Sequence, residues 1–290
     1  MLGVTNKGVR RHGLVAVLAT VISLEVRAAV LTDFAMSAEL DVKGYAASET
    51  LENFPVLVRV SPERLVGFDY ADLRAEGMPD ITFFDSEDLT TELAYEIDTW
   101  NRSGESLVWV KVPKLTASTK LVFAYGKSDY AKTIADSAVW SAYAAVWHMN
   151  DGKGDSTTDK TIKHGSAITA TTDALLGGCY SQERTTHQLA TEYDFSGLSA
   201  SGVFTLSGWF KQKFDNKNQR WFSTKKDYTK SGLELIVVGT NGDLYVRGNG
   251  NSPTVTFTGG KAAYFQTPDT WIHMAAAFDK PTDTTSSATL

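Results

Sequence analysis

The sequence predicts an all-β chain: two antiparallel β-sandwich modules of jelly-roll type in tandem, behind an N-terminal signal peptide. Three observations predict it. Short segments alternating apolar and polar residues with a period of two recur along most of the chain. Long helical patterns are missing between them, and only residues 68–77 (FDYADLRAEG) have a local helical look. Pro55, Pro62, Pro79 and Pro113 fall at the ends of the alternating runs, where a missing N–H does little harm. At 290 residues the chain is long enough for two domains, each burying its own core. A net charge of -6 without a basic stripe argues against a nucleic-acid partner.

The first element is the leader, residues 1–28. Lys7, Arg10, Arg11 and His12 make a basic start, and residues 14–24 (LVAVLATVISL) an apolar core too short for an ordinary membrane-spanning helix. Cleavage after Ala28 puts Val26 and Ala28 at the specificity positions. Glu25 and Arg27 end the apolar run early, which favours cleavage over a retained anchor helix. The mature protein is thus expected to be exported (periplasmic, outer-surface or extracellular) with no membrane span. Losing Lys7, Arg10, Arg11 and Arg27 against Glu25 makes it more acidic still, a surface that stays soluble and repels anionic partners.

The first module is expected over residues 29–137. Met36, Ala38, Leu40 and Val42 alternate with polar residues as one face of a strand. Val56, Val58 and Val60 repeat the pattern, as do Val108, Val110 and Val112, and then Leu121, Phe123 and Tyr125. Many short strands without intervening helices make an antiparallel sandwich.

The residues Asn53-Phe54-Pro55-Val56-Leu57-Val58, Phe68-Asp69, Asp80-Ile81, Asp85-Ser86, Tyr95-Glu96-Ile97-Asp98, Trp100 and Trp109-Val110-Lys111-Val112-Pro113 carry a family resemblance. With Ala124-Tyr125-Gly126-Lys127, where the family usually has a Tyr-Tyr-Gly-Asn type ending, this module resembles the exported bacterial family called domain of unknown function 2341. The resemblance implies a following concanavalin-like or laminin-G-like module and, for some members, the company of proton-channel components of biopolymer transport. It implies no catalytic residue.

The second module is expected over residues 138–290. Val139-Trp140 and Val146-Trp147-His148-Met149 open a new apolar pattern after the polar stretch 126–137. Phe204, Leu206 and Gly208 line one strand face, Leu233, Leu235 and Val237 another, Leu244 and Val246 another. Gly239-Thr240-Asn241-Gly242-Asp243 is a hairpin signal, because Asn-Gly takes positive φ readily. Val255 with Phe257, and Ile272 with Met274, Ala276 and Phe278, complete the set. Val146-Trp147-His148-Met149, Phe204-Thr205-Leu206-Ser207-Gly208-Trp209-Phe210, Gly242-Asp243-Leu244 and Trp271-Ile272-His273-Met274-Ala275 followed by Phe278-Asp279 resemble a laminin-G/concanavalin A-like jelly roll. In that superfamily further strands follow Phe278-Asp279, so the module is expected to be incomplete at its C-terminus.

Candidate sites are few. Glu96-Ile97-Asp98 resembles the Glu-x-Asp-x-Glu strand of retaining jelly-roll glycosidases, which need two carboxyl groups flanking the scissile bond. Glu96, Asp98 and Trp100 are expected on one strand face. Trp100 stands where the acid/base would be, and an indole transfers no such proton. Glu96 and Asp98 are therefore expected to face solvent or to bond a neighbouring loop. Asp151, Asp155 and Asp159 punctuate a Gly-rich loop as oxygen ligands suited to calcium, without the spacing of a dedicated calcium loop; a solvated loop is the other reading. His148 and His273 are expected as core histidines bonded to backbone. Trp209, Trp221 and Tyr228 offer faces for stacking on sugar, or fill the core or its rim. Cys179, the only cysteine, makes no internal disulfide, has no metal-spaced partner, and reads as a buried, inert thiol.

These features predict an exported, non-catalytic binding or adhesion protein of the bacterial envelope whose partner is a polysaccharide or an envelope protein. Two further classes stay open: a scaffolding part of an envelope transport complex, and a glycan-degrading enzyme.

Overall fold

A computed structural model describes residues 3–11, 29–150, 156–157, 162–164, 168–182, 189–191, 203–211, 218–224, 234–237, 243–247, 255–257, 269–279 and 287–289. The fold is all-β and antiparallel. Helical segments among the described residues are three 3-10 turns, Leu31–Asp33, Tyr70–Asp72 and Asp136–Trp140. The helical look of residues 68–77 shrinks to Tyr70–Asp72. Asp69 caps it by accepting from the Ala71 N–H at 2.9 Å, and Leu73 leaves it in extended conformation. No described helix is long and apolar enough to cross a membrane.

The chain forms two compact units, residues 1–183 with 187–191, and residues 184–186 with 192–290. The expected boundary between 137 and 138 falls inside the first of them.

The first unit holds β1 (Gly3–Arg11), β2 (Met36–Lys43), β3 (Leu51–Val60), β4 (Ile81–Asp85), β5 (Asp88–Glu92), β6 (Tyr95–Thr99), β7 (Ser106–Leu115) and β8 (Lys120–Tyr125). They make a five-stranded sheet, β1-β2-β8-β4-β5, and a three-stranded sheet, β3-β7-β6. Residues 3–11, the basic start of the expected leader, pair as β1 along β2, with Gly3 opposite Lys43 and Arg11 opposite Met36. The rest of the expected leader lies outside the described residues. Beyond β8 come β9 (Ile162–His164), β10 (Ile168–Thr171), β11 (Cys179–Gln182) and β12 (Leu189–Thr191), paired as the ribbons β9-β12 and β10-β11.

Period-two alternation determines the core. Met36, Ala38, Leu40 and Val42 of β2 and Leu121, Phe123 and Tyr125 of β8 face Val56, Val58 and Val60 of β3 and Val108, Val110 and Val112 of β7 in one buried cluster. Phe123 is at its aromatic centre, 5.8 Å from Phe68, 5.2 Å from Phe83 and 5.1 Å from Tyr125 between ring centroids. Tyr95 of β6 donates its hydroxyl to Ile81 O of β4 at 2.8 Å, a bond from one sheet to the other. A smaller cluster covers the opposite side of the five-stranded sheet, where Phe84, Val122 and Ala124 pack against Ala29, Leu31, Phe34 and Tyr130.

The second unit holds β13 (Phe204–Lys211), β14 (Gln219–Ser223), β15 (Glu234–Val237), β16 (Leu244–Arg247), β17 (Val255–Phe257), β18 (Trp271–Asp279) and β19 (Ser287–Thr289). Sheets β13-β18-β19 and β14-β15-β16-β17 share a small core of Leu235, Val237, Met274 and Ala276, with Leu206, Phe210, Trp221, Phe222 and Ile272 packed against it.

Truncating Phe123, fully buried among three aromatic rings, removes contacts the surroundings cannot refill. Phe123→Ala is expected to lower the stability of the first unit by about 3–5 kcal/mol, measured as a shift of the urea midpoint.

Candidate functional site

The outer face of the three-stranded sheet carries the densest polar chemistry described. On β6, Tyr95 and Ile97 point to the core and Glu96 points outward, opposite Trp109 of β7. The ladder then shifts: Ile97 pairs with Val108, but the next pair is Thr99 with Leu107. Asp98 is the extra residue of a bulge, and it stays on the outer face beside Glu96. The bulge resets the alternation, so Trp100 turns inward and packs edge-on to Tyr70, 5.6 Å between centroids at 88°. The expected common face therefore holds for Glu96 and Asp98 and fails for Trp100.

Residues of 136–150, together with Ser156, lie over this face. His148 sits between the carboxylates, its Nε2 3.0 Å from Glu96 Oε2 and its Nδ1 3.2 Å from Asp98 Oδ2. All three side chains are nearly fully buried. Carboxylates only accept, so a ring N–H facing either acid donates to it. Neutral donors complete both carboxylates. Trp140 Nε1 donates to Glu96 Oε2, and Ser156 Oγ to Glu96 Oε1 at 2.7 Å. Trp109 Nε1 donates to Asp98 Oδ2 at 3.1 Å, Thr99 Oγ1 to Asp98 Oδ1 at 3.2 Å, and Asn150 Nδ2 also to Oδ1. Burial raises the pKa of Glu96, but the bonds from His148, Ser156 and Trp140 outweigh it and hold the carboxyl at about 2.

Aromatic rings enclose the imidazole. Trp109 stacks on His148 at 5.9 Å, and Trp140 lies 5.4 Å from both His148 and Trp109. Lys111 fastens the same stretch by donating to Ala138 O at 3.3 Å and Ser141 Oγ at 2.8 Å. Lys132 does so by donating to Tyr95 O at 2.6 Å. From the other side comes the loop between β10 and β11. Gly177 has φ +56°, and a Cβ there would stand 2.8 Å from Thr99 Oγ1 and 3.3 Å from Asp98 Oδ1, so only glycine fits. Beyond it a shallow cleft of about 260 Å³ opens between Arg59, Asn101, Glu105 and Leu175. Arg59 and Arg64 both bind the Glu105 carboxylate there, which holds it below its usual range against the opposing effect of burial.

Among sequence-predicted residues, Glu96 and Asp98 are buried partners of a neighbouring segment. His148 bonds carboxylates, not backbone, since the sheet face beneath it is acidic. Sequence reasoning missed this union because it divided the chain at 137, between the acids and the histidine. Asp151, Asp155, Asp159 and Tyr228 lie outside the described residues. No group of three or more His, Cys, Asp or Glu among the described residues is placed to hold a metal, and His148 spends both nitrogens on carboxylates. Cys179 is half-buried rather than buried, with Sγ 3.5 Å from Asp173 O.

Trp221 stacks flat on Phe210, 4.5 Å apart at 5°, against the second core, whereas Trp209 is 39% exposed. Trp209 belongs to the outward row of β13, with Thr205 and Ser207, and this row lies opposite His273, Ala275 and Ala277 of β18. The Trp209 and His273 rings are 5.0 Å apart, and Lys211 lies over Trp271 at 5.2 Å. Partial burial lowers the pKa of His273.

A family model described as Domain of unknown function (DUF2341) matches residues 77–161. The matched stretch contains Glu96, Asp98, Trp109, Trp140, His148, Asn150 and Ser156, the whole of the buried cluster. It continues past the expected module boundary and does not reach the Asn53–Val58 motif. No curated protein and no solved structure matches the chain. The laminin-G/concanavalin A-like resemblance gains no support from the comparisons.

The cluster has a pH signature. The Glu96 carboxyl is depressed in the folded state, so its stabilisation is present above its unfolded pKa of 4.5 and is lost as pH falls toward about 2. Unfolding of the chain followed by tryptophan fluorescence is expected to lose about 3 kcal/mol across that window. Glu96→Gln should flatten this dependence, and His148→Ala, which strands two buried acids, should cost about 3–5 kcal/mol at pH 7.

Proposed function

We propose that the chain is an exported, non-catalytic binding protein of the bacterial envelope, and that its ligand is a polysaccharide held on the outer face of β13 and β18. Under this reading the second unit is a jelly roll of the laminin-G/concanavalin A-like kind. The observation that carries the proposal is the contrast between two sets of residues. Glu96 and Asp98, which resemble part of a glycosidase strand, are nearly fully buried with an imidazole between them, which leaves no space for a scissile bond. Trp209 instead presents an exposed indole above a shallow row of Thr205, Ser207, Ala275 and Ala277. An aromatic face next to hydroxyls and small side chains suits a sugar, whose C–H face stacks while its edge hydroxyls bond. Export is supported by the basic start at Lys7–His12 and the short apolar core that follows.

Affinity electrophoresis through gels containing β-glucan, xylan or galactan tests the reading. Retardation of the wild-type chain is expected in at least one gel. Trp209→Ala should weaken it about tenfold, and Trp221→Ala should lower stability through the second core instead. No reducing ends should be released from any of the three polymers. Hydrolysis that Glu96→Gln abolishes would overturn the non-catalytic reading, and absence of retardation by a folded chain would overturn the glycan.

A further inference from the structure

Glu92, at the end of β5, is a buried carboxylate, 9% exposed. It accepts from the Tyr130 hydroxyl at 2.7 Å through Oε1 and from the backbone N–H of Ala29 at 3.3 Å through Oε2. Among the described residues no lysine, arginine or histidine forms an ion pair with it. A buried carboxylate held by neutral donors is costly, and among the described residues no cation offsets that cost. Ala29 is the residue that follows the cleavage point expected from the sequence, and it is 7% exposed in the small core with Leu31, Phe34, Phe84 and Tyr130.

We propose that leader removal between residues 28 and 29 creates the missing cation: the new α-ammonium of Ala29 forms a buried ion pair with Glu92 and locks the N-terminal segment onto the five-stranded sheet. This rests on the export reading given above. The step is hydrolysis by a leader peptidase. One water is consumed and the amide C–N bond breaks. Hydroxyl goes to the carbonyl carbon of residue 28 and hydrogen to the nitrogen of Ala29. At neutral pH the new acid loses its proton and the new amine gains one. An N–H that now donates one bond becomes an NH3⁺ with three donors, already 3.3 Å from the carboxylate oxygen. The rest of the segment is already positioned to receive it. Val30 N donates to Asp33 Oδ2 at 3.2 Å, the turn Leu31–Asp33 follows, and Phe34 packs 5.3 Å from the Tyr130 ring. Because Ala29 is buried, cleavage must precede folding, and the ion pair forms only in a correctly processed chain. Processing also removes β1, so the sheet becomes β2-β8-β4-β5, and the ion pair lies at the edge opposite the one where pairing is lost, on β5.

The test compares chains that all lack residues 1–28: one with a free amine at Ala29, one N-acetylated at Ala29, and each again with Glu92→Gln. They are made by cleaving a tag in vitro, so the outcome does not depend on where cells cut. Acetylation should raise the unfolding equilibrium constant about tenfold to a hundredfold in the Glu92 background and scarcely at all in Glu92→Gln. An equal effect of acetylation in both backgrounds, or none in either, overturns the ion pair. N-terminal sequencing of the secreted protein checks the export reading separately. A product beginning at Ala29 supports it, and a product beginning at Met1 overturns that reading without bearing on the thermodynamic cycle.

Discussion

The chain's path beyond β8 depends on one buried charge cluster, the His148 imidazole between the Glu96 and Asp98 carboxylates. A strand-rich unit leaves its outer sheet faces open, and a covering segment without regular structure cannot bury much apolar area of its own. Over β6 and β7 the cover is held instead by charge and directional bonds. Trp140, Asn150 and Ser156 each donate to a carboxylate beneath them, and Lys111 fastens the turn from the sheet side. Such a cluster is weak evidence for net stability, because the cost of desolvating buried ionisable groups offsets most of their attraction. What it supplies is register. Few positions of Trp140, His148, Asn150 and Ser156 can satisfy two buried acids at once, so the cluster selects one arrangement.

The same device recurs on the other sheet. Residues 29–34 cover the outer side of the five-stranded sheet with Leu31 and Phe34, and Glu92 bonds the first residue of that cover. A buried acid therefore fixes each of the two segments that flank the strands of the sandwich. Apolar alternation builds the layer between the sheets, and carboxylates decide where the chain goes after leaving it.

This division explains what was legible in the sequence. The core was readable, since Val56, Val58, Val60 and Val108, Val110, Val112 alternate without interruption and period two determines their face. The all-β class followed from the same pattern. The bulge at Asp98 was not readable, because nothing in Tyr95–Thr99 marks an extra residue, and one residue is enough to turn Trp100 to the opposite face. The Glu96–His148 union was hidden for a different reason. Its members are 52 positions apart, and local patterning carries no signal for a polar contact across that distance. The composition shift after 126 drew attention to a boundary, whereas the compact unit runs on to 183. In the second unit, the outward placement of Trp209 and the inward placement of Trp221 follow only from the sheets on which they sit.

The covered faces also constrain where recognition can take place. On a two-sheet unit, ligands reach outer faces, edges or end loops. Residues 29–34 occupy one outer face of the first unit, and residues of 136–150 with Ser156 the other, each fastened to a buried acid. Opening either would strand a carboxylate in a desolvated site, a penalty of several kcal/mol that a weak ligand cannot supply. The second unit differs in kind. On the β13–β18 face Trp209, Ala275 and Ala277 are exposed, with no such cover among the described residues, and aromatic and small side chains need no charge compensation when water is displaced. The described faces of the two units thus differ in what covers them: buried acids fasten a cover on the first, while Trp209 stands partly exposed on the second.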